Sequence, residues 1–204
     1  MADDGVELVQ EVAFWDDQYA TGAYRERWDR LAPAADLVAI VAAGHVPSGG
    51  VTLDLGCGAG SDAIYLASLG FRSIGLDVSS EALNIARSRA ADAGVLVDWR
   101  EGSVLDLPFE DRTVHFAADH GCFHHIDEAG RERYASELAR VLVPGARFLL
   151  SGGRKSGGSA TLAVEAAAIE GAFSSRFTHG PIIPYVAQSD AGTSDSTMVI
   201  LERR

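Results

Sequence analysis

The run Val51-Thr52-Leu53-Asp54-Leu55-Gly56-Cys57-Gly58-Ala59-Gly60 constrains this chain more than any other stretch. An apolar segment ending in an acid and a glycine-rich turn reads as a buried strand that delivers a tight loop to the start of a helix, with Ser61 or Asp62 placed to cap the first turn. Alternate glycines let the backbone come within contact distance of a ligand, because no Cβ stands in the way. The sequence therefore predicts a binding loop at the carboxyl end of a central strand.

Beyond the loop the pattern repeats. Helices are predicted over 62–69, stopped by Gly70, and from the Ser79 or Ser80 cap to Gly94, with strands at 72–77, 96–100, 114–119 and 147–151. A further helix is predicted over 127–142, ended by Pro144-Gly145. Alternating strand and helix implies a doubly wound α/β sheet with parallel strands. Ahead of it, helical spacing over 7–19 and 34–41 is broken at Thr21-Gly22-Ala23-Tyr24, and Pro47-Ser48-Gly49-Gly50 forms a joint. Residues 1–50 are expected to be a helical cap and 51–204 the main domain. The tail has a glycine-rich linker over 152–159 and a helix over 162–170. Two more strands are predicted near 177–187 and 197–201, around a polar turn at 189–195, the first made edge-like by Pro181 and Pro184.

Composition narrows the ligand. In 204 residues, 47% hydrophobic, there is one core's worth of apolar side chains. A formal net charge of -12, with no basic stripe, disfavours nucleic-acid partners. No apolar run approaches the roughly 20 residues of a membrane span, and Met-Ala-Asp-Asp is unlike a secretion signal, so a cytoplasmic protein without membrane partners is expected. Cys57 and Cys122 sit in separate motifs and form no zinc-like spacing, and no metal site is expected.

The carboxyl ends of the strands carry the chemistry. Asp77 ends the second strand, where a carboxylate can accept both hydroxyls of a ribose. A dinucleotide loop would read G-x-G-x-x-G to bring a helix N-terminus against a pyrophosphate; here the spacing is G-x-G-x-G behind Asp54. An acid there repels a pyrophosphate and suits an ammonium group. The residues thus point to an adenosine joined to a cationic amino acid, and disfavour a dinucleotide oxidoreductase.

Four blocks in order, Asp54 to Gly60, Gly75-Leu76-Asp77-Val78-Ser79, Leu107-Pro108-Phe109 and Arg140-Val141-Leu142-Val143-Pro144-Gly145, resemble those of class I S-adenosylmethionine-dependent methyltransferases. The resemblance covers roughly 51–151. It implies a Rossmann-like seven-stranded sheet whose last strand is antiparallel and inserted beside the sixth, with S-adenosylmethionine as cofactor. It places Asp54 and the backbone of Gly56, Cys57, Gly58 and Gly60 against the methionine moiety, Asp77 at the ribose, Val78 at the adenine, and Ser103 and Val104 at the adenine edge. The chain departs from the family pattern at Ser103, where Asp is common, at His115, and at Ala146 in place of a second glycine.

At the end of the fourth strand, Asp119-His120-Gly121-Cys122-Phe123-His124-His125 lies where the transferred methyl is expected. It lacks the Asn or Asp followed by Pro-Pro and an aromatic of nucleic-acid amino-methylating enzymes, and is more similar to a small-molecule branch, of the thiopurine, tellurite-resistance, heterocycle or thiol type. In that branch Trp15 and Tyr19 would close over the cofactor. Asp119 is counted with the cofactor residues. If the acceptor must lose a proton, His120 and His124 are the candidate catalytic bases, since imidazole titrates near neutrality. The function expected is methyl transfer to an O, N or S atom of a small molecule by a monomer or homodimer; the alternative is a non-catalytic cofactor-binding regulator or scaffold.

Overall fold

The computed structural model describes residues 4–153, 164–189 and 192–204. Its centre is a single mixed sheet in the order β3-β2-β1-β4-β5-β8-β6, with β7 also paired to β8. The strands are β1 (Val51–Leu55), β2 (Arg72–Asp77), β3 (Asp98–Glu101), β4 (Val114–His120), β5 (Leu142–Gly153), β6 (Phe177–His179), β7 (Ile183–Ser189) and β8 (Gly192–Arg203). The helices are α1 (Asp4–Ala20), α2 (Ala35–Ala42), α3 (Ser61–Ser68), α4 (Ser80–Asp92), α5 (Glu128–Val141) and α6 (Ala166–Phe173). The first five strands run parallel, and β8 runs antiparallel to β5, β6 and β7.

The core strands are apolar on both sides, as a sheet covered on both faces requires. Side chains alternate along each strand. Ala117, Phe148 and Leu150 therefore enter the larger core with α5 and α6, while Phe116, Ala118 and Leu149 enter a second core with Leu66 of α3 and Leu37 and Ile40 of α2. The N-terminal segment is thus built into the sheet's packing through α2. Tyr19 and Tyr24 form a third cluster with Ala59 and Ala82, holding the end of α1 and the short 3-10 helix Ala23–Glu26 against the loop after β1. His115 secures the start of β1, its Nδ1 accepting from the Val51 amide at 3.3 Å.

The sheet departs from the sequence reading in several places, among them β8, which begins at Gly192, inside the polar turn expected over 189–195. The third strand begins at Asp98, not Leu96, because the chain is still leaving the C-terminus of α4 and Leu96 is 94% exposed. Pro144-Gly145 does not terminate α5; the helix passes directly into β5 at Leu142, and the proline and glycine occupy an irregularity in the β4–β5 register between Val114 and Phe116. The expected single edge strand over 177–187 is broken at Gly180, Pro181 and Ile182 into β6 and β7, which lie on the same side of β8, opposite β5. Proline has no amide to give to the ladder, and the Gly180 amide makes the last bond before the gap, to the Ile200 carbonyl. An eight-stranded sheet results where seven were expected, with the antiparallel strand inserted between β5 and β6 as the resemblance implied. Of the helix expected over 162–170, Leu162 and Ala163 lie outside the described residues with most of the linker over 152–159, Val164 and Glu165 are not helical, and α6 runs from Ala166 to Phe173; Gly152 and Gly153 belong to β5.

Candidate active site

A cavity of about 470 Å³ opens at the carboxyl ends of β1, β2 and β4. Its floor is the loop Gly56 to Gly60. That loop is held by backbone bonds from the Cys57 amide to the Leu76 carbonyl and from the Gly60 amide to the Cys57 carbonyl, each 2.9 Å. Asp77 ties it to the next strand: its carboxylate accepts from the Gly58 amide at 2.8 Å and the Ser79 amide at 2.9 Å. Gly58 has φ 52°, and a Cβ there would stand 2.5 Å from the Tyr19 hydroxyl, so glycine is what allows Tyr19 to close over the loop. Ser79, not Ser80, caps α4, accepting from the Ala82 amide at 3.1 Å and donating to Asp16 of α1 at 2.7 Å.

The wall facing the loop is aromatic. Trp15 packs edge to face on Phe14, Trp28 and the His125 ring, and the Tyr19 hydroxyl accepts from Trp28 Nε1 at 3.1 Å. Burial, with the charge of Asp77 added, raises the Tyr19 hydroxyl far above its ordinary range, so it stays neutral. Val78, Ser103 and Val104 line the β2–β3 side. Of the residues expected to hold the cofactor, Trp15, Tyr19, Gly56, Cys57, Gly58, Gly60, Asp77, Val78, Ser103 and Val104 all border this cavity. Cys57 and Cys122 are in the cavity wall, half-buried.

Asp54 and Asp119 do not line it. Asp54 is 3% exposed and accepts from the Ala63 amide at 3.2 Å, supplying to the first turn of α3 the cap expected from Ser61 or Asp62. Burial, reinforced by Asp62, raises its carboxyl to about 8. Ser61 donates instead to the Arg30 carbonyl. Asp119 accepts from the amides of Gly121, Cys122 and Phe123 at 3.1, 2.8 and 3.0 Å and from the Tyr134 hydroxyl at 2.7 Å. With its oxygens thus occupied it shapes the turn that carries the histidines; burial lifts it to about 6 against the pull of those donors.

Neither expected base is free to act as one. Nε2 of His120 lies 2.9 Å from Asp36 and Nδ1 lies 2.8 Å from Asp62, with Arg30 bonded to Asp62 at 2.9 Å. Burial favours the neutral ring, but the two carboxylates outweigh it and raise His120 to about 10. It is a buried imidazolium at neutral pH, part of a charged knot joining α2, α3 and β4. His124 Nδ1 accepts from the Gly153 amide at 3.2 Å and its Nε2 lies 2.9 Å from His125 Nε2. Burial and the neighbouring His125 depress His124 to about 3, so it is neutral and both its nitrogens are engaged.

His125, the last residue of the stretch expected at the methyl-transfer point, also borders the cavity, as do Phe14, Tyr24, Arg27, Trp28 and Arg30, which no motif in the sequence marks for it. Four of them fall at 24–30, the stretch that reads in sequence as an interruption between helices. Its density of Tyr, Trp and Arg is the one signal that could have found them.

A family model described as "Methyltransferase domain" matches residues 52–145. The chain is 29% identical over 129 residues to a 2-heptyl-1-hydroxyquinolin-4(1H)-one methyltransferase of Mycobacteroides abscessus, covering 63% of this chain and 56% of that one. It is 36% identical over 122 residues to a chloroplastic 2-phytyl-1,4-beta-naphthoquinone methyltransferase of Arabidopsis thaliana, covering 55% and 45%. The chain spans about half the length of these curated relatives. Among solved structures, one described as "Conversion of a Disulfide Bond into a Thioacetal Group during Echinomycin Biosynthesis" superposes with a TM-score of 0.78 at 24% identity, covering 91% of each chain. Residues 52–145, a little under half of the chain, thus resemble a methyltransferase domain.

Proposed function

We propose that this protein is an enzyme that transfers a methyl group from S-adenosylmethionine to an O, N or S atom of a small-molecule acceptor. The observation that carries this reading is one cavity bordered at once by the glycine loop, the Asp77 carboxylate and an aromatic wall from α1 and the segment after it. The residues suit that cofactor. The loop is a cradle that a Cβ at Gly58 would fill, Asp77 is a buried acceptor at the β2 end, and Val78, Ser103 and Val104 offer a mostly apolar slot for a base. In this reading Asp77 holds the ribose, the loop backbone holds the amino-acid end, and Trp15 with Tyr19 covers it. Asp54 acts through the loop rather than on the ligand, because its carboxylate is turned to α3.

When bound, the cofactor supplies an electrophilic methyl carbon on a sulfonium sulfur. The chain's own part is to align the acceptor with that carbon and to exclude water, from which most of the acceleration of an in-line displacement derives. Names of the relatives support a small acceptor: both act, by their names, on ring systems of the quinolone or quinone type. Residues 1–50 are proposed as the cap of the site and 51–204 as the domain that carries it. No helix among the described residues is long and apolar enough to cross a membrane.

A labelled-methyl transfer screen over phenols, thiols, amines and N-heterocycles tests the proposal and separates an enzyme from a binding protein. Calorimetry should accompany it, with S-adenosylhomocysteine binding and NAD not binding; the reverse pattern overturns the cofactor assignment.

A further inference from the structure

The two adjacent histidines form a hydrogen-bond chain whose direction is fixed at one end. The Gly153 amide donates to His124 Nδ1 at 3.2 Å, and a nitrogen that accepts carries no hydrogen. The neutral His124 ring therefore carries its proton on Nε2. That atom lies 2.9 Å from His125 Nε2, so it donates there, and His125 must carry its own proton on Nδ1. Gly152 makes the arrangement possible: a Cβ at this position would come within 2.9 Å of His124 Nδ1. Trp15 stands edge to face against the His125 ring, with centroids 4.8 Å apart, and fixes its plane. His125 borders the cavity, and no described residue bonds its Nδ1. Each bond in the series amide to His124 to His125 polarises the next, which strengthens the last donor.

A base at this place is excluded by the same geometry. His125 has its one lone pair occupied by His124, His124 has none to spare, and His120 faces a carboxylate from each nitrogen. Of the three cations that line the cavity, Arg30 and the His120 imidazolium are paired with the carboxylates Asp62 and Asp36, while Arg27 donates to the neutral Gln18 side chain at 3.2 Å; two carboxylates line it as well. Of those two, Asp29 is clamped by both terminal nitrogens of Arg89, at 2.8 and 2.7 Å, and Asp77, the residue proposed to hold the ribose, accepts one backbone amide at each oxygen.

We propose that His125 Nδ1–H is the group that meets the acceptor, and that the acceptor is bound as an anion, the oxide of an acidic hydroxyl on an aromatic ring. This rests on the methyl-transfer reading. The acceptor's proton is left to solvent before binding. In the displacement the oxide's lone pair forms the new bond to carbon, the carbon–sulfur bond breaks with its electron pair going to sulfur, and no proton moves. The aromatic wall of Phe14 and Trp15 beside His125 provides for the ring. His125 is in this sense a donor that positions an anion, not a base.

The test uses 4-nitrophenol, whose ionised form has its own visible absorption band, titrated against the full chain loaded with S-adenosylhomocysteine. The bound dye is expected to ionise at a pH lower by about half a unit or more than the free dye, a roughly threefold shift in its ionisation equilibrium. His125→Phe should abolish that shift, and His125→Asn, which keeps an N–H donor but takes up no proton, should retain most of it. Nitrogen NMR should place the His125 proton on Nδ1 at neutral pH. A dye that binds neutral, that fails to bind the loaded chain, or that shifts equally in His125→Phe overturns the proposal. Calorimetry of S-adenosylhomocysteine on the unloaded chain is the separate control. Its failure would strike the methyl-transfer reading itself, whereas intact cofactor binding with an unshifted dye strikes only the role of His125.

Discussion

His120 at the end of β4 and Asp62 at the start of α3 face each other at 2.8 Å, an ion pair within a knot that Asp36 and Arg30 complete. The knot draws on three separate stretches of chain. Its charge state is therefore a property of the assembled fold, and it has a pH signature.

The folded His120 is raised to about 10 by Asp62 and Asp36, above the ordinary imidazole value near 6.5. The stability it contributes is fully present below about 6.5 and is lost as pH rises through about 10. Asp54, raised to about 8 by burial and by Asp62, adds a loss of the same sign from about pH 4 to 8. Asp62 and Asp36 are lowered, since pairing with His120 outweighs burial, and their contribution disappears as pH falls below about 4. Thermal melts should show greatest stability at mildly acidic pH and a steady fall in Tm from pH 6.5 to 10. A melting temperature that rises across that interval would contradict the imidazolium.

His120→Gln keeps side-chain polarity but not the charge, leaving Asp62 and Asp36 with less compensation. A loss of about 3–5 kcal/mol is expected from breaking a buried pair. The alkaline slope of Tm should flatten in the variant, because the titrating group is gone. If His120 acted instead as a base, the change would appear as a displaced pH–rate profile with stability intact.

Gly58→Ala places a methyl where the Tyr19 hydroxyl now stands, 2.5 Å away, on a backbone at φ 52°. Affinity for S-adenosylhomocysteine should fall at least about tenfold, equivalent to about 1.4 kcal/mol. Far-ultraviolet circular dichroism should remain that of the parent. Unchanged affinity by calorimetry would mean that the loop is not the floor of the cofactor site.

Tyr134→Phe removes the one side-chain donor to Asp119 among the described residues, both residues being buried. Losing one hydrogen bond to a charged group costs about 1.5–3 kcal/mol, and urea unfolding should register it as a lower midpoint at constant slope. The turn at 121–123 would keep its three amide bonds, so cofactor affinity should change little by comparison.

Leu37→Ala asks whether the N-terminal segment folds with the sheet. Leu37 is fully buried in the core that includes Phe116 and Leu149, so truncation should cost about 2–5 kcal/mol. The unfolding transition should move as a whole. A small separate transition for residues 1–50 would show that the cap folds by itself.

The central strands and the helices between them were legible in the sequence because each obeys a local rule: an apolar run, a serine or aspartate cap, a glycine stop. The glycine loop and Asp77 were legible for the same reason, being adjacent in sequence to the strands that aim them. What sequence could not supply was partnership across long separations. Nothing near His120 announces Asp36, 84 residues away, and without that pairing an imidazole beside the methyl-transfer point reads as a base. Asp54 carries the family's signature yet turns to the Ala63 amide, a choice made by the packing of α3. His125 gives no sign of its use in sequence, because that use depends on the Gly153 amide, which reaches it only through β5 and His124.

Both borders of the sheet are closed to further strands by chemistry already present. On one side β3 is four residues long and carries the Asp98–Arg100 charge pair. On the other, the gap between β6 and β7 holds Pro181, and Pro184 lies within β7, two positions without an amide hydrogen to offer a visitor. A neighbouring chain laid along either border would find an interrupted ladder. An acidic protein with so apolar a sheet can therefore be concentrated without one molecule's strands continuing into the next.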